Sequence, residues 1–473
     1  MKTLILFFSI LTLQLLRATS DGCHPDDEKG LMSFKAGITH DPSGMLSLWK
    51  PGTDCCQWRT TTCLASGRVN SIWLTGSPDQ PNSYLAGTIS PSLAKLEFLN
   101  GLYMMNLRNI TGGFPTWLYG MHNLMYLYLQ NVPLTGRLPR DIGRFGGRLN
   151  ALNLAGNRFT GAIPSSISNL TSLSELNLAG NFLTGKFPLG IRNLTNLETL
   201  DLQNNQLARS IPEIFSSLTR LRYLRLSGNN FTGKIPNSIS SLSPNLEYLE
   251  LARNSLTSQI PSFLGSFHSL DTMNLAWNNL TGPVPKSFKN LTKIFNLDLS
   301  HNSLVDPFPV MNVMGIETLD LSYNKFHLGR IPDWASSSPI LYSLKLAKCG
   351  IKMNLTNWRP QQTYFYDYLD LSENEIWGSP VWLLNQTDYL VGFWASGNKL
   401  SFDLRQMRIV GTMKDLDLSR NSIYGGVPSS VAGLRNLNVS WNHLCGRLPP
   451  TKFPASSFEG NKCLCGSPLQ PCK

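Results

Sequence analysis

A frame of about 24 residues, LxxLxLxxNxLTGxIP, recurs along the chain and restricts its fold more than any other feature. From Leu149 it is filled by Leu149, Leu152, Leu154, Asn157, Phe159, Thr160, Gly161, Ile163 and Pro164. From Leu173 the same slots hold Leu173, Leu176, Leu178, Asn181, Leu183, Thr184, Gly185, Phe187 and Pro188. The Asn slot returns at Asn205, Asn229, Asn254, Asn278, Asn302, Asn324, Asn374, Asn398, Asn421 and Asn442. Weaker copies at Val69, Leu99 and Leu124 extend the array to about 16 turns. In such a frame LxL alternates in and out as a short strand, the Asn amide can bond backbone groups of the turn, and LTGxIP supplies a Gly and Pro bend. One repeat cannot bury its own leucines. Stacked neighbours can, so the expected fold is an α/β solenoid: a curved superhelix with one parallel sheet on its concave face and capped ends.

The repeat overrides the reading that length alone suggests, since 473 residues would otherwise predict roughly three domains. Apolar residues make up 42% and charged residues 15%, enough hydrophobic material for an extended core and against disorder. The formal charge of +11, from 41 Lys and Arg against 30 Asp and Glu, suits nucleic acid, an anionic membrane or an acidic polysaccharide, and only the compartment decides among them. Residues 1–20 carry Lys2, an apolar run from Leu4 to Leu16, then Ala18, Thr19 and Ser20, the order of a cleaved secretory leader. Nothing later reaches 18 uninterrupted apolar residues, so the expected product is soluble, extracellular and without a membrane span or signalling domain of its own.

Export fits the cysteines. Cys23, Cys55, Cys56 and Cys63 lie near the start, and Cys445, Cys463, Cys465 and Cys472 at the end. Each group of four allows three connectivities, and their spacings lack the paired CxxC of a zinc ribbon, so disulfides rather than a metal are expected. Cys349 falls in the Asn slot after Leu341, Leu344 and Leu346, where the repeat accepts Asn or Cys, and reads as a buried free thiol. Sequons at Asn109, Asn169, Asn193, Asn230, Asn279, Asn290, Asn354, Asn385 and Asn438 predict several glycans. At the N-terminal end Leu31, Phe34 and Ile38 share a helical face behind the acidic start Asp26, Asp27, Glu28, predicting a cap helix from Asp26 to Ile38 over the first strand. The expected organisation is a leader over 1–20, a cap over 21–68, repeats over 69–444 and a second cap over 445–473.

The segment Asp27-Glu28-Lys29-Gly30-Leu31-Met32-Ser33-Phe34-Lys35, with Asp41-Pro42, Leu48-Trp49, Asp54-Cys55-Cys56-Gln57-Trp58 and Cys63, resembles the N-terminal cap of plant extracellular leucine-rich-repeat proteins. Asn438 to Gly446, Phe458 to Asn461, Leu464-Cys465-Gly466 and Cys472 resemble their C-terminal cap, and LTGxIP is the plant form of the repeat. Among relatives without a membrane span and kinase, the chain is most similar to polygalacturonase-inhibiting proteins and to proteins named for DNA-damage toleration. The resemblance implies four disulfides between neighbours: Cys23 with Cys55, Cys56 with Cys63, Cys445 with Cys463, and Cys465 with Cys472. That family has about ten repeats, so its inhibitory residues do not transfer to this longer array. The inserted island of steroid-binding receptor ectodomains is absent, which disfavours a site of that kind.

Function is expected on the exposed x positions of LxxLxLxx, where aromatic and Arg side chains carry most interface energy. Tyr126, Tyr128, Tyr223, Arg225, Tyr248, Glu250, Arg253, Trp277, His301 and Tyr323 are the candidate protein-binding residues. The bland alternative is that the tyrosines pack on adjacent strands. Arg137, Arg140, Arg144 and Arg148 form a basic cluster whose extracellular polyanion would be acidic pectin rather than nucleic acid. The recurring Asp298, Asp320, Asp370 and Asp417 have a spacing that glycoside hydrolysis would permit, but they belong to the repeated LDLS and the open sheet offers no enclosed subsite. Gly180 to Lys186 and Gly228 to Lys234 mimic a phosphate loop, yet Phe187 and Ile235 stand where Ser or Thr is required. There is no HExxH or GxSxG, and the seven His show no ligand spacing, so neither catalysis nor a cofactor is expected. The expected role is recognition in the plant apoplast or cell wall: binding and inhibiting a microbial wall-degrading enzyme such as a polygalacturonase. The alternatives are a ligand-binding partner of a receptor kinase or a passive pectin-associated wall protein.

Overall fold

The computed structural model describes residues 22–313 and 315–472, in two compact units that meet in sequence between Ala208 and Arg209. The leader read from residues 1–20 lies outside the described residues. No helix among the described residues is long and apolar enough to cross a membrane.

In the first unit, the strands Val69–Thr75, Gly101–Met105, Tyr126–Gln130, Ala151–Asn153, Glu175–Asn177 and Thr199–Asp201 form one parallel ladder in chain order. Thr61–Cys63 adds an antiparallel edge. In the second unit, the ladder runs through Tyr223–Arg225, Tyr248–Glu250, Thr272–Asn274, Asn296–Asp298, Thr318–Asp320, Ser343–Lys345, Tyr368–Asp370, Gly392–Trp394, Asp415–Asp417 and Asn436–Asn438. Each unit is a leucine-rich-repeat solenoid. Its core is the stacked leucines of the frame: Leu176, Leu178, Leu249, Leu251, Leu297 and Leu299 are all fully buried.

The xLTGx segment, expected as a bend, instead forms a second set of short parallel strands. Arg158–Ala162 pairs with Thr135–Arg137 and with Phe182–Lys186 in the first unit, and Ser255–Gln259 with Asn230–Gly233 and Asn279–Pro283 in the second. The cause is the Asn slot. The Asn181 Oδ1 accepts from the Phe159 N–H at 3.0 Å, and its Nδ2 donates to the Leu154, Leu178 and Ala179 carbonyls. This holds consecutive LTG segments in phase. The Pro that follows begins a short 3-10 helix, such as Ser165–Asn169 after Pro164, where a missing N–H costs nothing.

Cys349 occupies the slot as a buried free thiol, its sulfur facing the Leu321 and Ala347 carbonyls at 3.4 and 3.6 Å. Burial pushes that thiol well above its usual range, which makes it inert as a nucleophile. Because an amide makes stronger bonds than a thiol, Cys349→Asn is expected to stabilise the fold by about 1 kcal/mol. Thermal melting checks this, and an unchanged or lower midpoint contradicts it.

The cap helix spans Pro25–Ala36 rather than reaching Ile38. Gly37 ends it, and Ile38 opens the strand Ile38–His40, which pairs antiparallel with Ala86–Thr88. Its start is fixed on the first repeat strand: buried Asp27 accepts from the Val69 N–H at 2.7 Å and from the Arg68 guanidinium. The structure joins Cys23 to Cys55, Cys56 to Cys63, Cys445 to Cys463 and Cys465 to Cys472. Sulfurs of Cys55, Cys56 and Cys63 cluster within 4.8 Å, but each is spent in a disulfide, so the cluster offers no thiolate to a metal. The Asn ladder runs past residue 444 into the segment read as the C-terminal cap. There Asn461 accepts from the Leu444 N–H and donates to the Val439 and Phe458 carbonyls, because Cys463–Cys465 pairs with His443–Arg447 as one more LTG-like strand.

Candidate functional site

The parallel register of the second unit lines up equivalent x positions in straight rows. One row runs Arg225, Glu250, Asn274, Asp298, Asp320, Lys345, Asp370, Trp394, Asp417 and Asn438. The Asp residues have a structural task here. Asp298, Asp320, Asp370 and Asp417 each accept from the backbone N–H two residues on, at 2.9 to 3.0 Å, closing the turn after the strand. That bond explains why Asp or Asn recurs wherever the repeat is copied.

Next to this row stands a column formed by the residue immediately before each Asn slot, where the backbone turns left-handed. Arg253, Trp277, His301 and Tyr323 hold φ between 52° and 56° there. Gly228 and Gly397 fill the same place in other repeats, so the fold needs no side chain at it. A non-glycine residue in this conformation costs roughly 1–2 kcal/mol, and the run continues through Lys348 and Glu373, so what sets Arg253, Trp277, His301 and Tyr323 apart is their mutual stacking and exposure. They stack: the Arg253 guanidinium lies 5.4 Å from the Trp277 ring, Trp277 lies 3.7 Å from His301, and His301 lies 4.6 Å from Tyr323. Trp277 is 48% exposed and Tyr323 41%. Burial and the Arg253 charge hold His301 below its ordinary value, against the opposing pull of Asp298.

The other candidates fall into two further groups. Tyr223 and Tyr248 stack at 5.0 Å with Arg225 over both rings at 5.4 Å. The Arg225 Nε sits 3.3 Å from the Glu250 carboxylate but off-line for a hydrogen bond. In the first unit Trp73, Tyr103 and Tyr128 form a stack with spacings of 3.6 and 5.1 Å, closed by the Tyr128 hydroxyl donating to Glu175 at 2.6 Å. Burial raises the Tyr128 phenol strongly, and the Glu175 carboxylate adds to it. Tyr126 is half-buried beside this stack. Sequence reasoning missed Glu175 and the Arg222–Glu247 pair at 2.7 Å, which brace the tyrosines at the neighbouring x positions. A charged residue opposite a tyrosine in the in-phase frame was the available signal.

The four arginines of the basic cluster differ in their partners. Arg148 is spent on the Phe145 and Tyr119 carbonyls and the His122 ring, and Arg144 pairs with Asp141 at 3.5 Å. Arg137 lies on the second sheet, and no carboxylate among the described residues comes within ion-pair distance of it or of Arg140. The sequons divide as well. Asn109, Asn169, Asn193, Asn230, Asn279 and Asn290 are exposed and lie on the second strands or at the ends of 3-10 helices, off the main sheet face. Asn354, Asn385 and Asn438 are half-buried, with their amide oxygens accepting from the Thr356, Arg408 and Ser440 N–H groups.

Residues 176–352 match the leucine-rich repeat region family, residues 24–64 the leucine-rich repeat N-terminal domain, and residues 148–170 a further leucine-rich repeat. The chain is a leucine-rich-repeat protein of the plant type. Over 113 residues, 22% of this leucine-rich-repeat chain, it is 40% identical to polygalacturonase inhibitor 2 of Arabidopsis thaliana, covering 34% of that relative. Over 127 residues, 26% of the chain, it is 33% identical to phytosulfokine receptor 1 of the same plant, covering 12% of it. The chain thus spans about a third of the length of the polygalacturonase inhibitors it matches. Among solved structures, PEPR1–AtPEP1 superposes with a TM-score of 0.61 at 23% identity, over 90% of this chain and 73% of that one, a likeness of fold.

Within the aligned row, burial and the neighbouring Asp298 carboxylate push Asp320 up to about 6. A carboxyl raised above its unfolded value of about 4 favours the folded state while protonated. That stabilisation is full below pH ~4 and is lost as pH rises through ~6. Asp320→Asn keeps the turn bond and is expected to be the more stable protein at pH 7, by about 1–2 kcal/mol after allowance for screening. Melting curves at pH 4 and pH 7 check this, and a difference that does not change with pH contradicts it.

Proposed function

We propose that this is a recognition protein of the plant cell exterior that binds a microbial wall-degrading enzyme, of the polygalacturonase class, on the sheet face of residues 209–473 and blocks its access to pectin. The observation that carries the reading is the stack of Arg253, Trp277, His301 and Tyr323, with Trp277 and Tyr323 exposed. Large aromatics with an adjacent Arg are what protein interfaces use as anchors. The exposed sequons lie off this face, so glycans would leave it open. The likeness to a polygalacturonase inhibitor supports the choice of target. Arg137 and Arg140 remain candidates for retention on acidic pectin, whereas Arg144 and Arg148 have internal partners. The likeness to phytosulfokine receptor 1 supports a second reading, a peptide-binding partner of a receptor kinase.

The test is to incubate the secreted, glycosylated protein with fungal and insect polygalacturonases and to measure both pectin cleavage and direct binding. Dose-dependent inhibition is expected, weakened about tenfold or more by Tyr248→Ala or Arg253→Gly. Arg253→Gly is the cleaner variant, because glycine removes the side chain and relieves the left-handed backbone together. Absence of binding across the panel, from folded protein, discards the inhibitor reading in favour of the receptor partner.

A further inference from the structure

The carboxylates of the second unit's row are more than the fold requires. The turn bond that Asp298, Asp320 and Asp370 make is made equally by Asn274, whose Oδ1 accepts from the Ala276 N–H at 3.1 Å. Asn438 even reproduces the second bond from the Ser440 hydroxyl at 2.7 Å, as Asp298 does with Ser300. An amide therefore satisfies the slot. A carboxylate there is half-buried and adjacent to like charge, which is costly unless an opposite charge is brought to it. Of the row's five carboxylates Glu250 has Arg225 beside it, and the other four, Asp298, Asp320, Asp370 and Asp417, share one ammonium, Lys345, which stands between Asp320 and Asp370 in register. This strip is acidic on a chain whose formal charge is +11.

The same place is hollow. His301, Asp320, Ser322, Tyr323, Lys345, Asp370 and Trp394 line a depression of about 300 Å³. Trp394 lies across Gly392, where a β-carbon would overlap its ring, so the glycine seats the tryptophan as one wall while Tyr323 forms another. Carboxylates and aromatic rings lining one depression are complementary to a cation, through charge and through the negative ring faces.

We propose that this depression is a subsite for a cationic side chain, an arginine or lysine presented by a basic protein ligand, with Asp320 and Asp370 supplying the charge and Tyr323 and Trp394 the walls. The proposal rests on the protein-binding reading above and gives the ligand a chemistry. Lys345 tunes the site: it offsets part of the negative charge in the free protein and can swing aside when the guest arrives.

The test uses the full secreted protein and two probes, N-acetyl-arginine methylamide and its neutral isostere N-acetyl-citrulline methylamide, followed by saturation-transfer NMR. The arginine probe is expected to bind at least about tenfold more tightly than the citrulline probe. The double variant Asp320→Asn, Asp370→Asn, which retains the turn bonds and whose melting verifies its fold, is expected to lose that preference, as is Trp394→Leu. Equal binding of the two probes, no binding of either, or an unaltered preference in the double variant overturns the proposal. The polygalacturonase assay separates the two readings. Inhibition without arginine preference leaves the inhibitor standing and removes the subsite. Arginine preference without enzyme binding keeps the subsite and removes the inhibitor.

Discussion

Asn278→Ala is expected to destabilise the protein by about 3–5 kcal/mol, the largest effect of any single surface-remote polar change in the repeats. The Asn278 Nδ2 donates to the Leu251, Leu275 and Ala276 carbonyls at 3.0, 3.1 and 3.2 Å, and its Oδ1 accepts from the Leu256 N–H at 2.9 Å. The residue is buried, so water cannot replace the amide. Each bond contributes about 1 kcal/mol net, and each backbone group left without a partner in the interior costs about 1–3 kcal/mol. The loss links two repeats, because Leu251 and Leu256 belong to the turn before. Urea unfolding with hydrogen exchange should therefore show faster exchange at the Leu256 amide and its neighbours. A loss below about 1 kcal/mol would mean that the ladder is decoration on the leucine core.

Asp27→Ala should cost a similar amount, about 3–5 kcal/mol, by a different mechanism. Asp27 is fully buried and serves three donors: Val69 N–H at 2.7 Å and two Arg68 nitrogens at 2.9 and 3.1 Å. Truncation leaves a largely buried guanidinium with only the exposed Glu97 carboxylate, at 3.9 Å, and frees the first strand from the cap helix. Asp27→Asn preserves an acceptor for Val69 and should cost less, about 2 kcal/mol, because charge assistance alone is lost. Melting of the three proteins, with exchange at the Val69 amide, decides the order. Equal melting of Ala and Asn variants would show that packing of the helix, not this pair, holds the cap.

The periodic leucines made the strands, their parallel order and the buried Asn and Cys349 slots legible in the sequence, because a packed repeat must place like residues in like environments. The extent of the cap helix was not legible: Ile38 keeps helical phase with Leu31 and Phe34, and only the stop at Gly37 sends it into a strand. The second strands were missed because Thr and Gly read locally as a bend, whereas the Asn181 amide that aligns them acts from the following repeat. Arg253, Trp277, His301 and Tyr323 were visible as exposed positions, but their left-handed backbone was not. The alternation of that slot with Gly156, Gly180, Gly228 and Gly397 was the signal for it. The depression beneath Trp394 depends on side-chain direction across several strands, which a one-dimensional pattern does not contain.

The in-phase register also acts as a ruler. Rows step by one strand spacing of about 4.8 Å, whereas an extended polypeptide laid across the strands advances about 3.3 Å per residue. The two scales form a vernier that realigns after two strands and three residues, at about 9.6 and 9.9 Å. Because successive side chains of an extended guest point to opposite faces, one that touched a row twice would carry its matching side chains two vernier periods, or about six positions, apart, while a folded guest would obey no such spacing. The periodicity of the partner's contacts is thus written in the host's sheet before the partner is known.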